Sequence, residues 1–408
     1  MKIKKLLLLT LILFSFKIGL AQKNSFSPYT RYGVGEILKQ GYATNLGIGG
    51  ISYGFRKNNT LNYLNPASYT VQDTNSFIFD FGLSGNLSQF RNNTEQMNKK
   101  TVSLDHVSIG FPVIRWWKSS IGIAPYSHVG YNIQVPYTTT DNETYNYQYQ
   151  GDGGLRKFYI GNAFQLIPSL SLGVNYSYLF GRLTYNNIVR WPDDASTQNL
   201  VYTREKIING SVLNLGIQYH NEIFGDYKLT VGATYDLPMK MNLEESYIYT
   251  NGLDTISNEN KTNFNFPVQY GLGFSISNKK ILFGMDFSYQ DWAKVNEFNY
   301  LQNSYSVNAG FEYTPDREAL RNYFKHVNYR IGGFYNQSYL NMEGESINNY
   351  GITFGLGLPI KYQKTKFNIS CQLGRKGTTN NNLIEINYAT INFNITFFDF
   401  WFIKHKYQ

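Results

Sequence analysis

The sequence predicts an all-β fold, a transmembrane antiparallel β-barrel of about 14 strands. Three observations carry this. A short basic-then-apolar leader opens the chain. Strand-length segments alternate apolar and polar residues nearly to the C-terminus. Aromatic residues make up 17% of the chain while charged residues make up only 16%. Side chains on a strand point alternately to opposite faces, so such segments have one greasy and one wet surface. Repeated along the chain, this suits a closed sheet with lipid outside and water inside, and aromatics suit its two interfacial girdles.

The leader comes first. Lys2, Lys4 and Lys5 form a basic start, Leu6 to Leu20 an apolar stretch broken by Lys17, and Gly19-Leu20-Ala21 a small-residue cleavage site. Residues 1–21 therefore read as a signal peptide, with the mature chain starting at Gln22. Its removal takes four lysines and no acid, lowering the formal charge from +9 to +5. That modest excess does not call for nucleic acid. It suits contact with the phosphates of outer-leaflet lipid and lipopolysaccharide, or plain solvation. Beyond the leader no apolar run is long enough for a membrane-spanning helix.

Residues 22–72 alternate poorly and are rich in Gly, Asn and Tyr. Gly33-Val34-Gly35 and Gly47-Ile48-Gly49-Gly50 supply permissive backbone for tight bends. Neither is a phosphate loop, because Ser52 stands where the third glycine of G-x-G-x-x-G is required. This segment reads as a separate, mostly irregular N-terminal element.

Residues 73–408 read as the barrel. Strands are expected from about residue 76, then near 101–114, 119–135, 154–167, 170–190, 198–221 and 227–249. Others follow near 262–277, 280–290, 303–314, 326–338, 349–362, 366–375 and 385–399. The last shows the pattern best: Ala389, Ile391, Phe393, Ile395 and Phe397 on one face, Thr390, Asn392, Asn394 and Thr396 on the other. Links after even-numbered strands are mostly brief and links after odd-numbered ones long and polar. This is the asymmetry of periplasmic turns and external loops.

The order of several short motifs resembles the FadL/TodX-type transporter family of the outer membrane. The resemblance rests on Asn45-Leu46-Gly47-Ile48-Gly49-Gly50 followed by Asn65-Pro66-Ala67. Ser27-Pro28-Tyr29-Thr30-Arg31-Tyr32-Gly33, Gly110-Phe111-Pro112, Ala124-Pro125-Tyr126-Ser127, Gly153-Gly154-Leu155 and Trp401-Phe402 resemble a Bacteroidetes-type branch of it. The likeness implies that residues 22–72 form a plug inside the lumen, with Gly47, Gly49, Gly50, Asn65, Pro66 and Ala67 as its motif. It also implies a hydrophobic small-molecule ligand, fatty-acid-like or aromatic. Some barrels of this branch serve protein export, so it equally permits a subunit of an outer-membrane secretion or assembly complex.

Within the wall, Pro125 stands in the third strand between Gly122 and Gly130. Proline donates no ladder hydrogen bond, so pairing must falter there. The bland reading is a bulge that bends the wall. In the FadL family a break in this strand is a lateral exit into the membrane, which makes Pro125, Gly122 and Gly130 the candidate gate. Asn65-Pro66 is either a hinge of the plug or a rigid turn joining plug to wall.

Catalytic and metal chemistry find little support. His106 and Ser108 share a face, an arrangement that resembles outer-membrane phospholipase A, but the lipid side belongs to Val107, Ile109 and Phe111. The other histidines are scattered without metal-ligand spacing. Asp80 and Asp286 face inward and suit a hydrogen-bonded interior. Asp141, Glu143, Asp152, Asp193 and Asp194 fall in expected loops. The lone Cys371 lies on an apolar strand face, as a small hydrophobe. No cofactor and no enzyme activity are expected.

Overall fold

The computed structural model describes residues 27–138, 144–191, 199–250, 255–319, 322–360 and 365–400. The leader, Asp141, Glu143, Asp193, Asp194 and Trp401-Phe402 lie outside the described residues.

Alternation becomes pairing all the way round. After a two-residue strand β1 (Glu36–Ile37), the wall begins with β2 (Ser76–Arg91), β3 (Gln96–Ile114), β4 (Trp117–Thr138), β5 (Thr144–Ile167), β6 (Leu170–Arg190) and β7 (Leu200–Phe224). It continues with β8 (Tyr227–Asp236), β9 (Lys240–Thr250), β10 (Thr255–Asn265), β11 (Gln269–Ser277), β12 (Ile281–Gln290) and β13 (Ser304–Tyr313). The last four are β14 (Asn328–Met342), β15 (Glu345–Pro359), β16 (Lys366–Lys376) and β17 (Glu385–Phe400). Strand β17 pairs antiparallel with β2 from Glu385↔Arg91 to Phe400↔Ser76, which closes the sheet.

Two of the wall strands are split. β8 and β9 are halves of one strand interrupted at Leu237-Pro238-Met239, and β10 and β11 halves of the next, interrupted at Phe266-Pro267-Val268. β8 pairs with β11 and β9 with β10, so the breaks sit side by side. Each proline removes a ladder donor, which locates the two interruptions. With each pair taken as one strand, the barrel has the expected 14 strands.

The lipid zone follows from exposure. On β17, Phe393 and Phe397 are 42% and 49% exposed, whereas Asn392, Asn394 and Thr396 are buried against the interior. Outward-facing residues of β6 run Leu172, Val174, Tyr176, Tyr178, Phe180 and then Arg182, which pairs with Glu205 of β7 at 3.0 Å. About ten residues of tilted strand cross a bilayer core, so Arg182 and Glu205 stand at its outer boundary. Trp116, Trp117 and Phe164 cluster at the opposite end. Cys371 pairs across the ladders with Phe354 and Ile391 on the lipid face.

One expectation about the connections needs correction. The polar intervals near 136–153, 250–261 and 339–348 are mostly strand, not loop: β4 runs to Thr138, β5 starts at Thr144, β10 starts at Thr255, and β14 and β15 meet in a turn at Glu343-Gly344. A sheet above the membrane satisfies its backbone in the same way as one within it, so polar side chains did not end the strands.

Residues 27–75 fill the lumen. They contribute one short helix (Ala43–Leu46), two 3-10 turns (Pro28–Arg31 and Pro66–Val71), the short strand β1 and irregular chain, with Tyr42, Ile48, Phe55, Leu61 and Tyr69 buried.

Candidate functional site

The plug meets the wall through glycine. Inward-facing Gly173, Gly216, Gly232, Gly310, Gly332 and Gly355 lie on β6, β7, β8, β13, β14 and β15. A side chain at Gly173 or Gly216 would overlap the Asn65-Pro66-Ala67 turn, and one at Gly232 the Tyr53 carbonyl. At Gly310 it would strike the Ile48 carbonyl, at Gly332 the backbone of Gly49, and at Gly355 it would crowd Gly47 at 3.0 Å. Close approach of two backbones needs glycine on at least one of them. The motif residues are thus where the plug lies directly on the barrel.

Polar ties reinforce this contact. Asn65 Nδ2 donates to the Tyr53 carbonyl at 2.8 Å and the Ile217 carbonyl at 3.2 Å, while its Oδ1 accepts from Ala67 N–H and caps the 3-10 turn. Gly49 N–H donates to Thr353 Oγ1 at 2.9 Å. Gly49 and Gly50 both have positive φ, 79° and 95°. Lys39 Nζ donates to the Gly49 carbonyl at 2.6 Å and sits 3.6 Å from the centre of the Phe334 ring. Burial lowers the Lys39 ammonium from the ordinary 10.5 to about 7.

Three ties could not be foreseen from local motifs. Glu312 accepts from both Lys57 of the plug and Arg330 of the neighbouring strand, the latter at 2.8 Å. Glu312 and Arg330 are cross-strand partners on inward-facing positions, a signal that needs the register before it can be read. Tyr339 donates to the Gly35 carbonyl and packs on the buried Trp292 at 4.6 Å between ring centres. The Tyr29 hydroxyl donates to the Ile384 carbonyl at 2.6 Å.

The candidate gate residues are spread along β4, with Gly122 inside its ladder to β3 and Pro125 and Gly130 beyond the end of that ladder. The β3–β4 ladder runs only from Ile114↔Trp117 to Val107↔Ile123, with Gly122 opposite Ser108. Above Ile123, β4 leaves β3 and turns inward, and Tyr126 to Tyr131 are all buried. The β4–β5 register slips between Pro125↔Arg156 and Ser127↔Leu155, leaving Tyr126 as a bulge. The plug takes up the edge of β4: β1 pairs with Ser127 and His128, Leu38 N–H donates to the Tyr126 carbonyl at 3.0 Å, and Gly130 N–H donates to Thr30 Oγ1 at 3.1 Å. Pro125 therefore marks a seam in the wall lined by the plug.

Between plug and wall lies a cavity of about 330 Å³. Ser84, Asn86, Ser103, Asn214, Ser306 and Thr390 line it, with Lys39, Lys157 and Asp236. Ligand pockets for apolar compounds are mostly apolar-walled. This one is mixed, with Leu38, Leu64, Leu179, Val212, Phe266 and Phe334 lining it beside the hydroxyls and amides.

His106 and Ser108 do not form a catalytic pair. The imidazole is held between Asp80 at 2.5 Å and Asp105 at 2.8 Å, so both ring nitrogens are taken and neither serves Ser108. Asp80 also accepts from Thr396 Oγ1 at 2.6 Å, and Asp286 accepts from the backbone of Ser52 and Tyr53. Both acids belong to interior networks. Among the described residues no group of three or more His, Cys, Asp or Glu could hold a metal ion.

Known structures share this architecture at low identity. The Pseudomonas putida toluene transporter TodX aligns at TM-score 0.61 and 12% identity, over 90% of this chain and 100% of TodX. The Ralstonia pickettii toluene transporter TbuX aligns at TM-score 0.60 and 12% identity, over 88% and 98% of the two chains. A Pseudomonas aeruginosa FadL homologue aligns at TM-score 0.61 and 10% identity, over 90% and 99%. At such identities the likeness concerns the fold. A search of curated proteins gives no match. The model of one protein family, described as BamG, matches residues 2–408, which is nearly the whole sequence. On that match, the chain belongs to the BamG family.

Proposed function

We propose that this chain is a barrel subunit of an outer-membrane protein assembly complex in a Gram-negative bacterium, with its lumen closed by a fixed plug. The observation that carries this reading is the seating of the plug backbone on glycines of five wall strands. A plug held at so many points, with main-chain contacts that no side-chain rotation can release, suits a scaffold better than a passage. The family description, BamG, fits a complex subunit. Its other partners are then outer-membrane lipids, with lipopolysaccharide on the outer leaflet.

Purification of the tagged chain in a gentle detergent tests this. A partner recovered in fixed stoichiometry is the expected result. A chain that elutes alone, from membranes in which it is intact and folded, overturns it.

One observation favours a second reading. The β3–β4 ladder ends at Val107↔Ile123, beside Pro125, and Pro125 lines the cavity. This suits passive uptake of a hydrophobic small molecule with lateral release, with Pro125, Gly122 and Gly130 shaping the gate. TodX and TbuX, which share the fold, are toluene transporters by description. Measured binding of toluene or a fatty acid to the purified protein, weakened by lumen substitutions such as Asn214→Leu, would favour this reading over the first.

A further inference from the structure

Above the lipid zone the wall turns apolar residues toward the mouth. Strands β4, β5, β6, β7, β9 and β10 continue past the charged boundary marked by Arg182–Glu205 and Glu244–Lys261, whereas β12 and β13 are only 10 residues long. The six longer strands remain paired with one another to Thr250 and Thr255. They form a palisade on one side of the mouth.

Within the bilayer these strands turn apolar residues outward, such as Ile121 and Ile123 on β4, Phe158 and Ile160 on β5, and Leu215 and Ile217 on β7. Above it apolar residues line the inner face as well. Tyr131, Ile133, Val135 and Tyr137 of β4 pair with Gly151, Tyr149, Tyr147 and Tyr145 of β5, and Tyr131 and Gly151 face the interior. The inner face continues through Val189, Asn187, Leu200, Tyr202, Tyr249 and Ile256. The outer face at this height is mixed, with Gln134, Asn186, Thr203 and Glu205 beside Ile188, Val201 and Ile248. Tyr137, Tyr249 and Ile256 are 52%, 54% and 66% exposed. A contiguous apolar face in water marks an interaction surface.

The geometry points to one kind of occupant. Resting on the subunit reading above, we propose that the inner face of this palisade docks a convex apolar surface of a partner protein at the cell surface. Width argues for a protein: six strands span five spacings of about 4.8 Å, or roughly 24 Å, twice the diameter of an α-helix with its side chains. Curvature argues against a second copy, because the inner face of a rolled sheet is concave and two concave faces do not close on each other. Arg204 and Lys206, at the base of the patch, share the single carboxylate of Glu245, at 3.0 and 3.1 Å, and Arg31 lies 5.4 Å from the centre of the Tyr149 ring, so the patch is an apolar face with a positive base. The aliphatic residues Ile133, Val135, Leu200 and Ile256 offer no hydrogen bonds to a sugar, and the tyrosines give large contact area at low entropy cost.

The test uses the full chain in its native membrane. A photo-crosslinking residue in place of Tyr137 or Tyr249 is expected to give one discrete protein adduct, with none from Gln134 or Glu205 on the outer face. Val135→Asp combined with Tyr249→Asp, and separately Ile256→Lys, are expected to lower recovery of that protein on gentle purification at least tenfold. Heat-modifiable migration on gels should be unchanged. Equal adducts from both faces, an adduct only with another copy of this chain, or no adduct overturns the proposal. Undiminished recovery of a partner from the charged variants also overturns it, and leaves the subunit reading standing. Absence of any partner from the unaltered protein removes both.

Discussion

The carboxylate of Asp286 accepts the main-chain N–H of Tyr53 at 2.9 Å and that of Ser52 beside it, which ties strand β12 to the middle of the plug. Both bonds are buried and one partner is a carboxylate, the condition under which a hydrogen bond contributes most. Asp286→Ala is expected to destabilise the folded barrel by about 2–4 kcal/mol, from two lost charge-assisted bonds and two orphaned N–H groups. Asp286→Asn keeps an acceptor oxygen and is expected to lose less. The midpoint of heat-induced unfolding on gels separates the two.

The wall glycines make a sharper prediction. Gly310→Val would force a side chain onto the Ile48 carbonyl, backbone against backbone, with no flexible atom to yield. The variant is expected to lose the folded, heat-modifiable form. Gly333→Ala, on the adjacent strand, would meet only the Gly351 carbonyl at 3.7 Å, ordinary contact. It is expected to assemble normally, and the contrast is read from the folded fraction in membranes.

The buried ion cluster predicts non-additivity. Removing the acid with Glu312→Gln leaves Lys57 and Arg330 without their shared counter-charge. Breaking a buried pair on one side costs roughly 3–5 kcal/mol. Lys57→Met together with Glu312→Gln is expected to cost less than the two single changes combined, as a double-mutant cycle on unfolding would show.

Lys39 gives a pH dependence. Its folded value, about 7, lies below the 10.5 of the free side chain, so between those values the unfolded chain holds a proton that the folded one has released. Stability contributed by this site therefore rises as pH rises from about 7 toward 10.5, and is lowest below 7. Lys39→Met is expected to flatten that slope in urea unfolding curves taken at pH 6.5 to 9.5.

At the seam, Pro125→Ala is expected to change stability little, within about 1 kcal/mol, since β4 has no ladder with β3 there to gain from a restored N–H. On the uptake reading it would alter entry of a hydrophobic compound into cells. On the subunit reading it would not.

Much of the wall was legible before any coordinates. Period-2 alternation fixed which residues of β17 meet lipid, the number of such segments gave 14 strands, and Pro125 marked the place where β4 parts from β3. Local order is enough for these, because face and breakage depend on each strand's own backbone. Other prolines were passed over: Pro238 and Pro267 split two strands that read as continuous. The polar ends of β4, β5 and β10 also looked like loops, because strand extension above the membrane has no lipid-facing pattern to show it.

Sequence by itself determined the alternating wall and singled out Gly47, Gly49, Gly50, Asn65, Pro66 and Ala67. Only tertiary structure decided what those residues touch. A glycine within a strand looks the same whether it faces lipid, like Gly333, or receives a carbonyl from the plug, like Gly310. Closure of β17 onto β2 and the register of every neighbour had to be in place first, because backbone contact between plug and wall joins segments up to some 300 residues apart, and no local pattern encodes it.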